Sequence, residues 1–213
     1  MFYRTLTGLS MSILIGVLAA GVSAVMALIL GICAATLGKK VDSAISFAID
    51  TVMGIPHILL LILISYAMGK GLKGVIAGVA LTHWTSLARL IRGEVMQLRE
   101  SEYIQIAGKL GLGKWEIAKK HIVPHVLPQF IVGLVLLFPH AILHESSITF
   151  LGFGLSTEQP AIGVILSESM RYLIMGKWWL AVFPGMMLVL TVVLFEKGGT
   201  ALCQLLDPGS VHK

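Results

Sequence analysis

The sequence is poor in charge and in cysteine, and it lacks one amino acid altogether. Charged residues make up 13% of the 213 residues, about half the share found in average soluble domains. Asparagine is absent, so the chain has no acceptor for N-glycosylation. Cys33 and Cys203 lie far apart and form neither a disulfide framework nor a CxxC metal pair. The scarcity of charge argues against a soluble globular domain and also against a disordered chain.

What the sequence has in abundance is apolar side chains. Hydrophobic residues account for 56% of the chain, and the mean hydropathy is +0.90. The formal net charge of +5 does not require nucleic acid as a partner, because membrane proteins concentrate basic residues in their cytoplasmic loops. The composition predicts an all-α, polytopic helix bundle in a lipid membrane.

Five apolar stretches are long enough to cross a bilayer as helices, which takes about 20 residues. They lie within Leu9–Leu37, Ala44–Met68, Leu72–Ala88, Val126–Leu143 and Trp178–Phe195. Pro56 falls inside the second stretch, and Pro184 with Gly185 is expected to kink the fifth. A short external helix is predicted at Ala161–Ile174, with Glu168 and Arg171 on it.

The basic residues indicate how these spans are oriented. If the stretch 89–128 and the segment after the first span are cytoplasmic, eleven of the sixteen Lys and Arg residues fall inside, including Lys197 and Lys213. The positive-inside rule then places the N-terminus outside and the C-terminus inside. Five spans are consistent with that orientation.

The polar stretch 89–128 is the most informative segment. Its composition predicts a helix over Gly93–Leu110, a break at Gly111-Leu112-Gly113, and a second short helix over Lys114–His121 that Pro124 and Pro128 end. Two short helices joined by a glycine turn, projecting from a membrane bundle, suit docking into a groove of a partner protein.

This stretch resembles the EAA loop of ABC importer permeases. Gln105, Ile106 and Ala107 occupy the Glu-Ala-Ala positions, Gly111 is the following glycine, and Ile122–Pro124 matches the end of the motif. Further matches to one branch of the family lie at Leu87–Glu94, Leu98–Tyr103, Glu145–Gly154, Phe183–Gly185 and Leu205–Pro208. Together they resemble the second permease of the dipeptide, oligopeptide and nickel importers, over essentially the whole chain.

The resemblance implies a fold, a function and a set of partners. It implies one transmembrane domain over 1–213 with the MetI-like permease fold, a cytoplasmic coupling loop at 89–128, and residence in the cytoplasmic (inner) membrane of a prokaryote. The partners would be a second permease, two ATPases that bind ATP and magnesium, and an extracytoplasmic binding protein. The family's first span has no counterpart here, so we expect an N-terminally short form.

Specific residues acquire roles from the same resemblance. Those expected at the ATPase contact are Gln105, Ala107, Gly111, Leu112, Gly113, Lys114 and Trp115. Those expected near a gate at the outer end of the pathway are Glu145, Phe150, Gly152 and Gly154. No GxxxxGK[ST] phosphate loop occurs, so this chain is expected to be a transport subunit that binds no cofactor and hydrolyses no ATP.

Four carboxylates in or near the apolar segments support a different class of function. Asp50, Glu145, Glu168 and Glu196 could serve an ATP-independent ion-coupled carrier or channel. Their proximity to span ends favours the plainer interpretation that all four are solvated or paired. A transport-silent structural subunit is a third alternative.

Two further sets of residues allow both a functional and a structural interpretation. His140 and His144 share a helix face, with His57 and His83 in other spans, and imidazole suits nickel. The pair therefore favours nickel or a metal chelate slightly over peptides, although packing alone would also explain it. The glycines of spans one and three are expected to allow close helix packing or to line a permease–permease seam; they include Gly16, Gly21, Gly31, Gly74 and Gly78.

Overall fold

The computed structural model describes residues 2–206, and the regular structure in that range is entirely helical. In chain order the helices are α1 (Phe2–Thr36), α2 (Lys39–Gly54), α3 (His57–Ala67), α4 (Gly71–Arg99), α5 (Glu102–Lys109), α6 (Lys114–Ile117), α7 (Val123–Phe150), α8 (Ile162–Leu173) and α9 (Trp179–Leu206). A π-helical turn, Ala118–Ile122, joins α6 to α7. The all-α prediction is confirmed.

Four of these helices, α1, α4, α7 and α9, are long and apolar enough to cross a membrane. The pair α2 and α3 passes the same test together, although the two helices are bent by 99° at their junction. The bundle therefore has up to five spans, as predicted. We call the end that carries residues 36–42 and 97–123 the basic end, and the other the opposite end.

The second span is not the continuous helix that Ala44–Met68 suggested. The helix ends at Gly54, Ile55 adopts an extended backbone with ψ 137°, and a new helix begins after Pro56. The residue before a proline is disfavoured in the helical conformation, which explains why the break falls here. The bend turns the chain so that His57 faces the bundle.

The third span is longer than predicted, and the helix after it is shorter. α4 continues past Ala88 to Arg99 without interruption, so the predicted helix Gly93–Leu110 is wrong. The break comes instead at Ser101, whose extended backbone precedes α5. Serine before a helix, with Glu102 in the first turn, is a typical helix start.

The prolines that follow the short helix α6 do not end a helix. The predicted short helix over Lys114–His121 runs through the π-helical turn into α7, with Pro124 in its first turn and Pro128 inside it. The Val123 N–H donates to the carbonyl of Ala118, five residues back. Membrane helices tolerate proline because local adjustments of this kind satisfy the freed backbone groups.

Close packing of α1 against α4 and α7 forms the centre of the bundle. A Cβ at Gly31 of α1 would lie 2.9 Å from the Ala88 carbonyl oxygen of α4. α4 also packs closely on α3, since a Cβ at Gly74 would lie 2.6 Å from the Ser65 carbonyl oxygen. Gly16 and Gly78 are similarly close to neighbouring helices, but Gly21 has no neighbour within 4 Å among the described residues. The predicted role in packing within this chain is therefore wrong for Gly21.

The remaining predictions about chain organisation concern the last two helices. The short helix predicted at Ala161–Ile174 is present as α8, and its Glu168 pairs with Arg4 of α1 at 2.6 Å. α9 remains helical through Pro184. Lys213 and the last two residues of the match at Leu205–Pro208 lie outside the described residues.

A pair of alanine substitutions on α1 tests the packing. We expect Gly31→Ala to lower the free energy of unfolding by about 1–3 kcal/mol, because the added methyl group meets the α4 backbone. Gly21→Ala, in the same helix but in open space, should cost little. The measurement is thermal unfolding of the purified chain in mild detergent, and equal destabilisation by the two variants would contradict a close contact between α1 and α4 at Gly31.

Candidate functional site

The segment between α4 and α7 projects from the basic end as two short helices around a tight turn. We call residues 100–122 the coupling segment. Gly111 has φ +92°, in the left-handed region that glycine adopts without strain. The Leu112 N–H donates to the carbonyl of Ala107 at 3.2 Å, which closes the turn after α5.

One face of the coupling segment is apolar yet exposed. Tyr103 and Ile106 on α5, and Leu110 directly after it, recur at helical spacing, and each is exposed. Trp115, at the start of α6, is 85% exposed. Contiguous exposed apolar side chains of this kind mark interaction surfaces, and tryptophan and tyrosine are enriched among the residues that contribute most to binding.

The other face of the segment is held on the bundle. Ile104, Ala107, Ala118 and Ile122 are buried. The Arg99 guanidinium, at the end of α4, donates to the Ala35 carbonyl at the end of α1. The coupling segment therefore rests on the ends of the two central helices.

Two ion pairs join α2 to α4 near the same end. Arg92 donates to both carboxylate oxygens of Asp42, at 2.5 and 2.8 Å. Arg89 makes a single contact to Asp50 at 2.6 Å. The first pair is bidentate and only about a quarter exposed, at 27% and 26% for the two side chains, whereas the second is more than half exposed.

The structure places the residues predicted for the ATPase contact together on this projection. Gln105, Gly111 and Gly113 are exposed, Leu112 is half-buried, and Ala107 faces inward. The side chain of Lys114 lies outside the described part of the structure. Their proximity agrees with a common surface, and their contact with an ATPase remains a prediction.

Glu145 lies in α7 and is fully buried, with 0% exposure. Its carboxylate accepts hydrogen bonds from the hydroxyls of Thr149, at 3.0 Å, and Ser146, at 3.2 Å, and it also bonds to Ser12 of α1. The Ser12 oxygen in turn accepts from the N–H of Ile162 at the start of α8. Of the expectation that this carboxylate is solvated or paired near a span end, the solvated alternative is wrong, because surrounding hydroxyl groups provide its hydrogen bonds inside the bundle.

The other carboxylates behave more as expected. Asp50 and Glu168 form ion pairs, and Glu196 is exposed on α9.

The residues that follow Glu145 connect α7 to the helices around it. The Gly154 carbonyl accepts from the N–H of Gly71 at the start of α4, at 3.0 Å. The hydroxyl of Ser65 in α3 donates to the Phe153 carbonyl at 2.8 Å. Gly152 turns the chain with φ +84°, and Phe150 lines a small cavity beside α8 and α9.

A larger cavity of about 550 Å³ lies where the second span breaks. Its lining residues come from the α2–α3 junction, from the middle of α4 and from α7, and they include four histidines: His57, His83, His140 and His144. Possible ligand atoms of His57, His83 and His144 all lie within 4.8 Å of one another. The predicted pair is thus divided, with His144 in a three-histidine cluster and His140 exposed on the wall of the same cavity.

Comparison with known proteins identifies the family. Residues 27–209 match the family described as binding-protein-dependent transport system inner membrane component. The chain belongs to this family. The match confirms the resemblance to ABC importer permeases and the assignment to a membrane.

Curated members of the family include permeases named for peptides. The chain is 32% identical over 207 residues to the dipeptide transport system permease protein DppC of Bacillus subtilis, covering 97% of this chain and 65% of that protein. It is 33% identical over 205 residues to a putative peptide transport system permease of Brucella suis, covering 96% and 69%. The chain thus spans about two thirds of the length of these relatives.

Solved structures support the fold. The chain superimposes on a permease chain of the inward-facing MetNI methionine ABC transporter with a TM-score of 0.78, covering 97% of each chain at 16% identity. A second match is an amino acid ABC transporter, with a TM-score of 0.69 at 18% identity. These matches confirm the MetI-like permease fold.

Sequence reasoning missed the meeting of the three histidines. It placed His57, His83 and His144 in three different spans but could not set the rotation of each helix. Their position within or at the end of apolar segments was the available signal, since ionisable residues inside membrane helices face the bundle interior or a cavity.

The geometry of the two ion pairs at the basic end predicts different coupling energies. In a double-mutant cycle, Asp42→Ala and Arg92→Ala should show a coupling energy of about 1 kcal/mol or more, because the pair is bidentate and partly buried. The same cycle with Asp50→Ala and Arg89→Ala should give about 0–1 kcal/mol, as for exposed pairs. Thermal unfolding in detergent measures both, and a larger coupling for the exposed pair would contradict the geometry.

Proposed function

We propose that this chain is the transmembrane subunit of an ATP-driven ABC importer for peptides in the cytoplasmic membrane of a prokaryote. The family match supports the importer class. The names of the relatives, which specify dipeptides and peptides, support the substrate. The observation that carries the mechanism is the coupling segment, with an apolar face exposed and the opposite face seated on the bundle.

The coupling segment suits the transmission of force. It is continuous with α7 through the π-helical turn, and its first two residues connect α4 to α5. A partner that grips Trp115 and the exposed face of α5 would therefore move two central helices together. ATP and magnesium would bind on partner ATPases, whose closure would push this segment and switch the pathway between outward- and inward-open states.

The other partners in the proposal are a second permease and an extracytoplasmic binding protein. The histidine-lined cavity is open at the surface of this chain, so a second permease packed over it would complete an enclosed pathway. The binding protein would approach the opposite end, where α8 and the turn after α7 lie. There the Glu145–Gly154 element, which bonds to α3 and α4, would act as a gate by setting their position relative to α7.

Nickel or a metal chelate is the second candidate substrate, and the cluster of His57, His83 and His144 favours it. An ATP-independent carrier has less support. Of its four candidate carboxylates, Asp50 and Glu168 are engaged in ion pairs and Glu145 is enclosed by hydroxyl groups.

Coupling can be tested by placing a β-branched residue in the turn of the coupling segment. Gly111→Val puts valine at φ +92°, which costs about 1–2 kcal/mol and distorts the turn. We expect dipeptide taken up per ATP hydrolysed to fall about tenfold or more, since a displaced segment transmits ATPase closure poorly, while the protein stays in the membrane. Uptake of radiolabelled dipeptide and phosphate release are measured on the same proteoliposomes.

Gly176→Val is the matched control. Gly176 also lies in an open turn with a left-handed backbone, φ +76°, but at the opposite end after α8. It should lose comparable stability and keep the ratio of uptake to hydrolysis. Normal uptake by Gly111→Val, or an equal loss of the ratio in both variants, would overturn the coupling role.

A further inference from the structure

We propose that His57, His83 and His144 form a binding site for a late first-row divalent metal cation, either free or held in a small chelate. This rests on the proposed function only for its role in transport, because the binding itself is a property of the three side chains. The site would make a metal cation part of the cargo that passes along the pathway.

The three rings come from separate helices and meet at one point. His57 begins α3 directly after the break in the second span, His83 lies in the middle of α4, and His144 lies in α7. Their ring centroids are 4.7, 4.5 and 4.9 Å apart. Bonds of about 2.0–2.1 Å from a metal to imidazole nitrogen span at most about 4.2 Å, so a spread of 4.8 Å or less needs only small rotations of the rings.

His83 is already oriented as a metal ligand. Its Nδ1 lies 3.0 Å from the carbonyl oxygen of Val79 and 3.1 Å from the hydroxyl oxygen of Thr82. In the tautomer in which Nδ1 donates to the Val79 carbonyl, Nδ1 carries the proton. The neutral ring then presents the lone pair of Nε2 toward the cluster. Histidines that bind metals commonly donate their other ring N–H to a backbone carbonyl in this way, which fixes both tautomer and orientation.

Two nitrogens that could bind the metal have no hydrogen-bond partner among the described residues. Nε2 of His83 and Nε2 of His57 are both buried without a hydrogen bond, and His83 is only 6% exposed. Buried polar atoms are almost always paired, so two orphaned acceptors beside a third histidine need an explanation. Packing alone would leave both atoms desolvated at a cost, whereas a shared cation would satisfy them.

The lining of the cavity sets the kind of metal. Around the three imidazoles the described lining holds a fourth histidine, His140, the thioether of Met53, and threonine, serine, proline and aliphatic side chains, without a carboxylate or a thiolate. Imidazole nitrogen without hard oxygen ligands favours nickel, copper, zinc and cobalt over magnesium or calcium. Three neutral ligands leave coordination positions for water or a chelator, and the cavity of about 550 Å³ has room for either.

A site of this composition suits passage better than storage. It offers three neutral ligands and no compensating negative charge, so coordination positions stay open to water or to an incoming ligand. It also lies at the junction of α2 and α3, beside a helix that runs to the coupling segment. A shift of α4 relative to the α2–α3 bend would separate His83 from His57 and release the cation.

The direct test is metal binding by the full chain, purified in detergent with a tag that contains no histidine. Isothermal titration with Ni²⁺ should show one site per chain, and X-ray absorption of the bound nickel should show at least two imidazole ligands. His83→Gln should weaken Ni²⁺ binding tenfold or more. His125→Gln, at an exposed histidine of α7 outside the cavity, should change it less than twofold.

X-ray absorption of nickel bound to the unsubstituted chain does not depend on whether the substituted chains fold. Absence of saturable Ni²⁺ binding, fewer than two imidazole ligands, or equal binding by His83→Gln would each overturn the proposal. Titration with Ni²⁺ alone and with the nickel complex of radiolabelled histidine distinguishes a site for the free cation from a site for a chelated cation. Retention of histidine in equal amount to nickel supports a chelated cation, and nickel binding without it supports the free ion.

These outcomes are separate from those that test the importer. Binding of Ni²⁺ by a chain that carries out no ATP-driven uptake would retain the metal site and reject the proposed function. ATP-driven dipeptide uptake by a chain that binds no Ni²⁺ would retain the proposed function and reject the metal site.

Discussion

The contact between α1 and α4 is the constraint on which the rest of this structure depends. Gly31 brings α1 against the backbone of α4 at Ala88, and Arg99 ties the end of α4 to the Ala35 carbonyl. Lipid tails are as apolar as the side chains, so burying apolar side chains between helices gains little in a membrane. Small residues that let two helix backbones approach closely therefore stabilise the association of the helices. This contact holds straight a helix of 29 residues, about 43 Å long, which carries His83 midway and leads into the coupling segment at its end.

A rigid α4 brings the two proposed sites into one mechanical unit. At the opposite end, its first residue is bonded to the turn that follows α7, and the buried Glu145 joins that part of α7 to α1 and, through Ser12, to α8. At the basic end, the ion pair between Asp42 and Arg92 joins α4 to α2. In the proposed mechanism, movement imposed on the coupling segment would reach both walls of the histidine cavity. At Pro56 no continuous helix joins the two halves of the second span, which are bent by 99°.

The sequence allowed the number of spans, the fold class and the turn at Gly111 to be predicted, because apolar run length and a glycine turn are local signals. The role of the coupling segment stays a prediction. The errors arose where the membrane and the tertiary structure decide the outcome. Pro56 produced a sharp bend, whereas Pro124 and Pro128 were absorbed within a helix. Glu145 was expected in a solvated position from its distance to a span end, but its environment depends on hydroxyl groups contributed partly by another helix. The three-histidine cluster required the rotation of three helices, which periodicity in weakly amphipathic membrane segments does not provide.

The most direct test of the coupling role is site-specific photocrosslinking from Trp115. A photoreactive benzoyl-phenylalanine replaces Trp115 in one variant and Trp178, which is exposed at the opposite end, in another, and both are irradiated in intact membranes of the producing organism. Mass spectrometry of the adducts should identify an ATPase with a phosphate-binding loop at position 115 but not at position 178. If position 115 yields no ATPase adduct in membranes where ATP-driven uptake is active, the exposed face of the coupling segment is not the ATPase contact, and the proposed transmission of force through this segment is wrong.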